Sequence, residues 1–154
     1  MLFRSGLYVW WQRTFLPPSL LAFDAPSREE CTAERSRSNI PQQALVLLND
    51  PSYVEAARAL ASRILKESNG STDERIRWAF QLALQRNPDQ EELHTLRTLF
   101  EKHLAEYRKD PQSAANLLKV GLILVPKELD GAELAAWTHL ARVILNLHET
   151  ITRF

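Results

Sequence analysis

"LNDPSYVEAARALASRILKESNGSTDE" (residues 48–74) decides the fold class. Asp50 stands where a helix N-cap is wanted, and Pro51 follows at the first helical position, where a missing N–H costs nothing. Val54, Ala57, Leu60, Ala61, Ile64 and Leu65 then recur at spacings of three and four, one apolar face of a helix. "SNG" (68–70) stops it. Ser71 with Glu74 has the spacing of a capping box, so a second helix starts almost at once.

The same grammar runs on toward the C-terminus. Ile76, Ala79, Phe80, Ala83 and Leu84 form the next stripe, ended by "RNP" (86–88). Asp89 and Glu92 repeat the capping box. Leu93, Leu96, Leu99, Phe100, Leu104 and Tyr107 line a long helix. Asp110-Pro111 opens another, which Gly121 is expected to end. "LILVP" (122–126) reads as a short extended or buried connector. Asp130 and Glu133 make a third capping box, and Leu134, Trp137, Leu140, Ala141, Ile144, Leu145 and His148 line the last helix.

Toward the N-terminus, "RSNIPQQALVLLNDP" (37–51) predicts a short helix from Pro41, capped by Asn39 and closed by Asn49. Leu7, Trp10, Trp11 and Phe15 lie on one face of a first helix that Ser5 caps and "LPPS" (16–19) stops. Residues 17–40 read as a long irregular loop, an unusual feature within a domain. No run alternates as a strand does, and no period of 20–50 residues repeats. The expectation is an all-α single domain over residues 1–154, a compact bundle of about six or seven helices with a long irregular N-terminal loop.

Composition narrows the function. The 154 residues suit one core. Lys plus Arg and Asp plus Glu are 19 each, so the basic excess of a duplex nucleic-acid binder is missing. No apolar run reaches membrane-spanning length, and no small-residue cleavage site follows the apolar N-terminal stretch, so no signal peptide is read there. Cys31 is the single cysteine, which excludes an internal disulfide, CxxC zinc sites and a CxxCH haem attachment. It is expected to be a small buried hydrophobe.

No reactive constellation emerges. His94 and His103 are nine residues apart, as are His139 and His148, which places each pair on opposite sides of its helix at ~100° per residue. HExxH, GxSxG and glycine-rich phosphate loops are absent, and no metal or cofactor is expected. Two groups remain. Arg35, Arg37, Asn39, Gln42 and Gln43, with Asp50, sit about a helix start, where N–H groups and the dipole favour anions. They form either an internal network or one wall of a pocket for an anionic or carbohydrate ligand. Leu7, Tyr8, Trp10, Trp11 and Phe15 form an aromatic face suited to a core or to a partner.

The stretch "LYVWWQRTFLPPSLLAFDAPSREECTAERSRSNIPQQALVLLND" (7–50) resembles the conserved block of a planctomycete domain of unknown function. Leu7, Tyr8, Trp11, Arg13 and Thr14 match its opening, and Phe23, Asp24, Pro26, Cys31 and Thr32 its middle. Arg35, Arg37, Asn39, Pro41, Gln43, Ala44, Leu45, Asn49 and Asp50 match its close. "ELAAWTHLARVILNLHETITRF" (133–154) is similar to the family's C-terminal end. The chain departs where the family has Thr-Asn-Thr-Pro-Leu-Gln and it has Ser38-Asn39-Ile40-Pro41-Gln42-Gln43. It departs again at His148, where the family has aspartate.

The resemblance implies the C-terminal part of longer, exported or periplasmic proteins that often carry a cytochrome c domain. It carries no established activity, and whether the chain is an enzyme stays open. Two readings follow. One is a non-catalytic interaction or assembly module whose partner is the N-terminal portion of the longer protein or another copy of itself, with the aromatic face as the contact. The other is a ligand-binding part of an enzyme, built on Arg35, Arg37, Asn39, Gln43 and Asp50.

Overall fold

The computed structural model describes residues 16–26, 29, 31, 33, 34 and 38–151. Among them the chain is all-α: eight helices and no strand. Its contacts divide it into two compact units, Met1–Val46 and Leu47–Phe154. The expected first helix, with Leu7, Tyr8, Trp10, Trp11 and Phe15, lies outside the described residues, as do Arg35 and Arg37.

In the first unit, α1 (Pro18–Ala22) occupies part of the stretch read as irregular. Pro18 starts a helix here, because a proline at the first turn loses no hydrogen bond. Asp24 follows in the left-handed region at φ 53°, and its carboxylate accepts from the Ser38 N–H (2.7 Å) and Ser38 hydroxyl (2.8 Å). That pair ties Asp24 to Ser38. Cys31 is exposed, not buried, since its loop carries it on the surface of this unit.

α2 (Pro41–Asn49) begins and ends where the sequence places it, but Asn39 does not cap it. The residue before Pro41 is Ile40, whose carbonyl accepts the Gln43 N–H, and Asn39 is exposed. Four long helices make the second unit: α3 (Pro51–Glu67), α4 (Thr72–Leu84), α5 (Gln90–Lys109) and α7 (Gly131–Leu145). Shorter α6 (Pro111–Leu118) and α8 (His148–Ile151) complete it.

The capping boxes predicted at Ser71/Glu74 and Asp89/Glu92 are both formed. Asp130 also accepts from the Glu133 N–H at 2.8 Å, but the reciprocal half is missing. The Glu133 carboxylate turns instead to Arg75 on α4, at 2.8 Å, a charge-assisted bond. The last stripe does not run through to His148. α7 ends at Leu145 with Asn146 as its C-cap, and a separate turn forms α8.

α7 is the axis of this unit and touches α3, α4, α5, α6 and α8. Leu134, Ala135, Ala136, Trp137, Leu140, Ala141 and Ile144 are fully buried, so the helix is apolar nearly all round, as a central helix must be. Trp137 packs against Phe100 of α5 with ring centroids 4.6 Å apart. Fully burying each Leu or Ile side chain contributes roughly 1.5–3 kcal/mol.

Candidate interaction surface

The chain between α6 and α7 is where the second unit departs most from an ordinary helical core. Leu122, Ile123 and Leu124 are 76%, 65% and 89% exposed, so the connector is not buried. Apolar side chains in a slack loop would fold back onto the core. Here the backbone is held from beneath by two residues of α3. The Glu55 carboxylate accepts the Leu122 N–H (2.8 Å) and the Ile123 N–H (2.9 Å). The Arg58 guanidinium donates to the carbonyls of Leu118 and Ile123, the latter at 2.6 Å. Arg58 is only 4% exposed and occupies a core position of the α3 stripe. A buried charge needs close polar partners, and these carbonyls supply them.

Gly121 makes the arrangement possible. Its φ of +97° suits glycine, and a Cβ there would run into the Glu55 carboxylate. With both N–H groups and the Ile123 carbonyl fastened inward, the three aliphatic side chains face solvent.

Beside the loop lies a groove of about 560 Å³ between the end of α5, α6 and the start of α7. Tyr107, Ala114, Ala115, Leu118, Val125 and Ala132 give it an apolar wall, with Arg108, Lys119 and Asp130 also along it. Val125 directly follows Leu124, so the groove wall and the exposed triad are consecutive in the chain.

One polar cluster crosses the α5–α7 seam. The rings of His103 and His139 stack 4.4 Å apart, and His139 Nε2 lies 2.6 Å from the Tyr107 hydroxyl. Arg142 Nη1 stands 3.5 Å from His139 Nδ1, and Arg142 Nη2 donates to the Leu48 carbonyl. A cationic donor facing Nδ1 puts the ring proton on Nε2, where it donates to Tyr107. Burial, then the charges of His103 and Arg142, hold the His139 pKa down to about 4. Burial likewise pushes the Tyr107 phenol up. The imidazole of His139 is therefore neutral at pH 7, with both nitrogens engaged inside the protein. Among the described residues no group of three or more His, Cys, Asp or Glu side chains gathers as a metal site would require.

The residues singled out for a ligand pocket are placed as follows. Gln43 Nε2 donates to the Ser38 carbonyl (3.0 Å), and Asp50 accepts the Ser52 N–H (2.8 Å) as the α3 cap. Asn39 and Gln42 are exposed. Periodicity pointed to neither the Glu55–Arg58 clamp nor the His103–His139 stack. One signal for the clamp was present: Arg58 falls four residues after Val54 and three before Ala61, on the apolar face.

Residues 1–100 match the model of the PSD1 family, a protein of unknown function (DUF1553). The chain belongs to the PSD1 family. The match covers the stretch 7–50 in which the resemblance to a domain of unknown function was read. It ends before the groove and the exposed loop, which lie beyond residue 100. Comparison with curated proteins finds no match, and comparison with solved structures finds none. No helix among the described residues is long and apolar enough to cross a membrane.

Proposed function

We propose that this PSD1-family chain serves as a non-catalytic helical interaction module that docks another polypeptide through the loop between α6 and α7. The observation that carries the reading is the clamp. Glu55 and Arg58 fasten the backbone of residues 118–123 so that Leu122, Ile123 and Leu124 stand outward as a preorganised apolar ridge. Preorganisation lowers the ordering cost of association, and adjacent exposed aliphatics mark contact surfaces more often than scattered ones do. The interior chemistry supports the same reading. His139 and Tyr107, each shifted chiefly by burial, hydrogen-bond to one another across a packed seam.

The test compares the chain with its Leu122→Ser/Ile123→Ser/Leu124→Ser variant. Binding of an environment-sensitive dye is measured, and mass is followed by light scattering over a concentration series. The expected result is dye binding, or self-association, that the triple variant loses while its helicity stays unchanged. A monomeric chain that binds no dye, or a variant identical to the parent in both readouts, sinks the proposal.

A further inference from the structure

We infer that the contact between His139 and Arg142 is an acid-sensitive latch: a proton taken up at His139 Nδ1 evicts Arg142, which releases the Leu48 carbonyl and frees the last turn of α2. Leu48 is the last residue but one of α2 (Pro41–Asn49), so its carbonyl finds no acceptor's partner within that helix. Arg142 Nη2 donates to it from α7. α2 buries none of its residues, so this bond stands where core packing is missing. Arg142 is held at two points: Nη1 faces His139 Nδ1 at 3.5 Å, Nη2 serves Leu48, and Nε is buried with no hydrogen-bond partner.

The guanidinium keeps this place only while Nδ1 offers a lone pair. His139 Nε2 carries the ring proton and faces the Tyr107 hydroxyl at 2.6 Å, so a second proton enters at Nδ1. Uptake turns that acceptor into an N–H on a cationic ring, pointing at another cation, and the contact becomes repulsive. The surroundings do little to offset this. From α5, the His103 ring stacks on His139 at 4.4 Å, and Glu106, 3.1 Å from His103 Nδ1, is the carboxylate that acts on the ring. Among the described residues, α3, α4, α6 and α8 also touch α7 but present no charged group that acts on His139. The Nε2–H faces Tyr107 in both protonation states, so α5 and α7 stay joined there while Arg142 moves. Burial keeps the ring neutral down to about pH 4, so the latch is closed at neutral pH.

The test is amide hydrogen exchange on the full chain by NMR, from neutral pH down to about 4. Exchange is read as protection relative to an unstructured peptide, which cancels the intrinsic effect of pH. The Leu48 and Asn49 amides are expected to lose about tenfold in protection, in step with titration of the His139 ring, while Trp137 and Leu140 in the core hold theirs. In His139→Gln, which takes no proton, that loss is absent. In Arg142→Gln the two amides are poorly protected already at neutral pH, no acid step remains, and the His139 midpoint moves up toward that of an ordinary histidine. Asp50→Asn keeps a capping side chain beside α2 without its titration and retains the acid step. Core amides losing protection together with Leu48 and Asn49, an acid step that survives in His139→Gln or vanishes in Asp50→Asn, or a His139 midpoint unmoved in Arg142→Gln overturns the inference. Should His139→Gln fail to fold, the two readouts of Arg142→Gln decide alone.

Discussion

Replacing Arg58 with methionine tests the clamp directly. Methionine keeps the aliphatic stem and removes the guanidinium. Two hydrogen bonds from a charged donor are lost, each contributing roughly 1.5–3 kcal/mol. The two carbonyls fare differently afterwards. Ile123 is exposed, so its oxygen finds water; the Leu118 bond is buried, and its oxygen is left unpaired at about 1–3 kcal/mol. Removing a buried charge returns part of its desolvation cost. The net loss expected is about 1.5–3 kcal/mol, a fall in melting temperature on the order of 6–12 °C for a unit this size.

Loss of stability alone would not separate a clamp from a packed core residue. The second readout is trypsin cleavage after Lys119 and Lys127, which flank the ridge. Val54→Ala is the control: Val54 is buried on the same helix and makes no bond to the loop. At matched global stability, Arg58→Met should be cut faster at Lys119 and Lys127 than Val54→Ala, because it frees the loop locally as well as globally. Equal cleavage of the two variants, or a loss below about 0.5 kcal/mol for Arg58→Met, would refute the clamp.

Gly121→Ala should destabilise by about 1–3 kcal/mol and lower dye binding, since it forces a strained φ, displaces Glu55 and lets the freed ridge fold back; urea unfolding and dye fluorescence read the two effects. His139 gives a pH signature. Its folded pKa of about 4 lies below the 6.5 of an ordinary histidine, so the unfolded chain binds the extra proton between those values. The stability from its neutral form is complete above pH 6.5 and is lost as pH falls to 4, by about 1–2 kcal/mol after allowance for its partial exposure. His139→Gln should flatten the urea midpoint over that window, and an unchanged slope would count against the burial argument. Asp89→Ala removes the α5 cap and should cost about 1 kcal/mol, measured by thermal unfolding, with little change in the groove.

The fold was legible wherever the deciding partners lie within one helical turn. Ser71/Glu74 and Asp89/Glu92 form the predicted boxes because cap and third residue are three apart, and Glu92 closes its box while also accepting from Arg86 at 2.7 Å. Asp130/Glu133 has the same spacing and forms only half a box, since Arg75 arrives from 58 residues away. α4 ends without a glycine: Gln85 itself takes the left-handed conformation at φ 61°, a choice no local pattern announced. Asn39 missed its cap by one position because Pro41, not Ile40, opens the helix. Such shifts at element ends arise from competition among neighbouring groups of similar strength.

The surface was less legible because its logic is non-local. "LIL" (122–124) is hydrophobic whether it faces in or out, and its direction depends on which backbone groups are held. Those groups are held by Glu55 and Arg58, more than sixty residues earlier, on a helix whose stripe reads as plain core. Charge shows the same separation of scales. Equal counts of acids and bases argue against a global field, yet helix starts collect carboxylates and helix ends collect cations. Where α5 and α6 end and α7 begins on one groove, that sorting leaves Arg108 and Lys119 without acidic partners while Asp110 and Asp130 are engaged. The charges along the groove thus follow from how three helices begin and end: Arg108 and Lys119 close α5 and α6, and Asp130 opens α7.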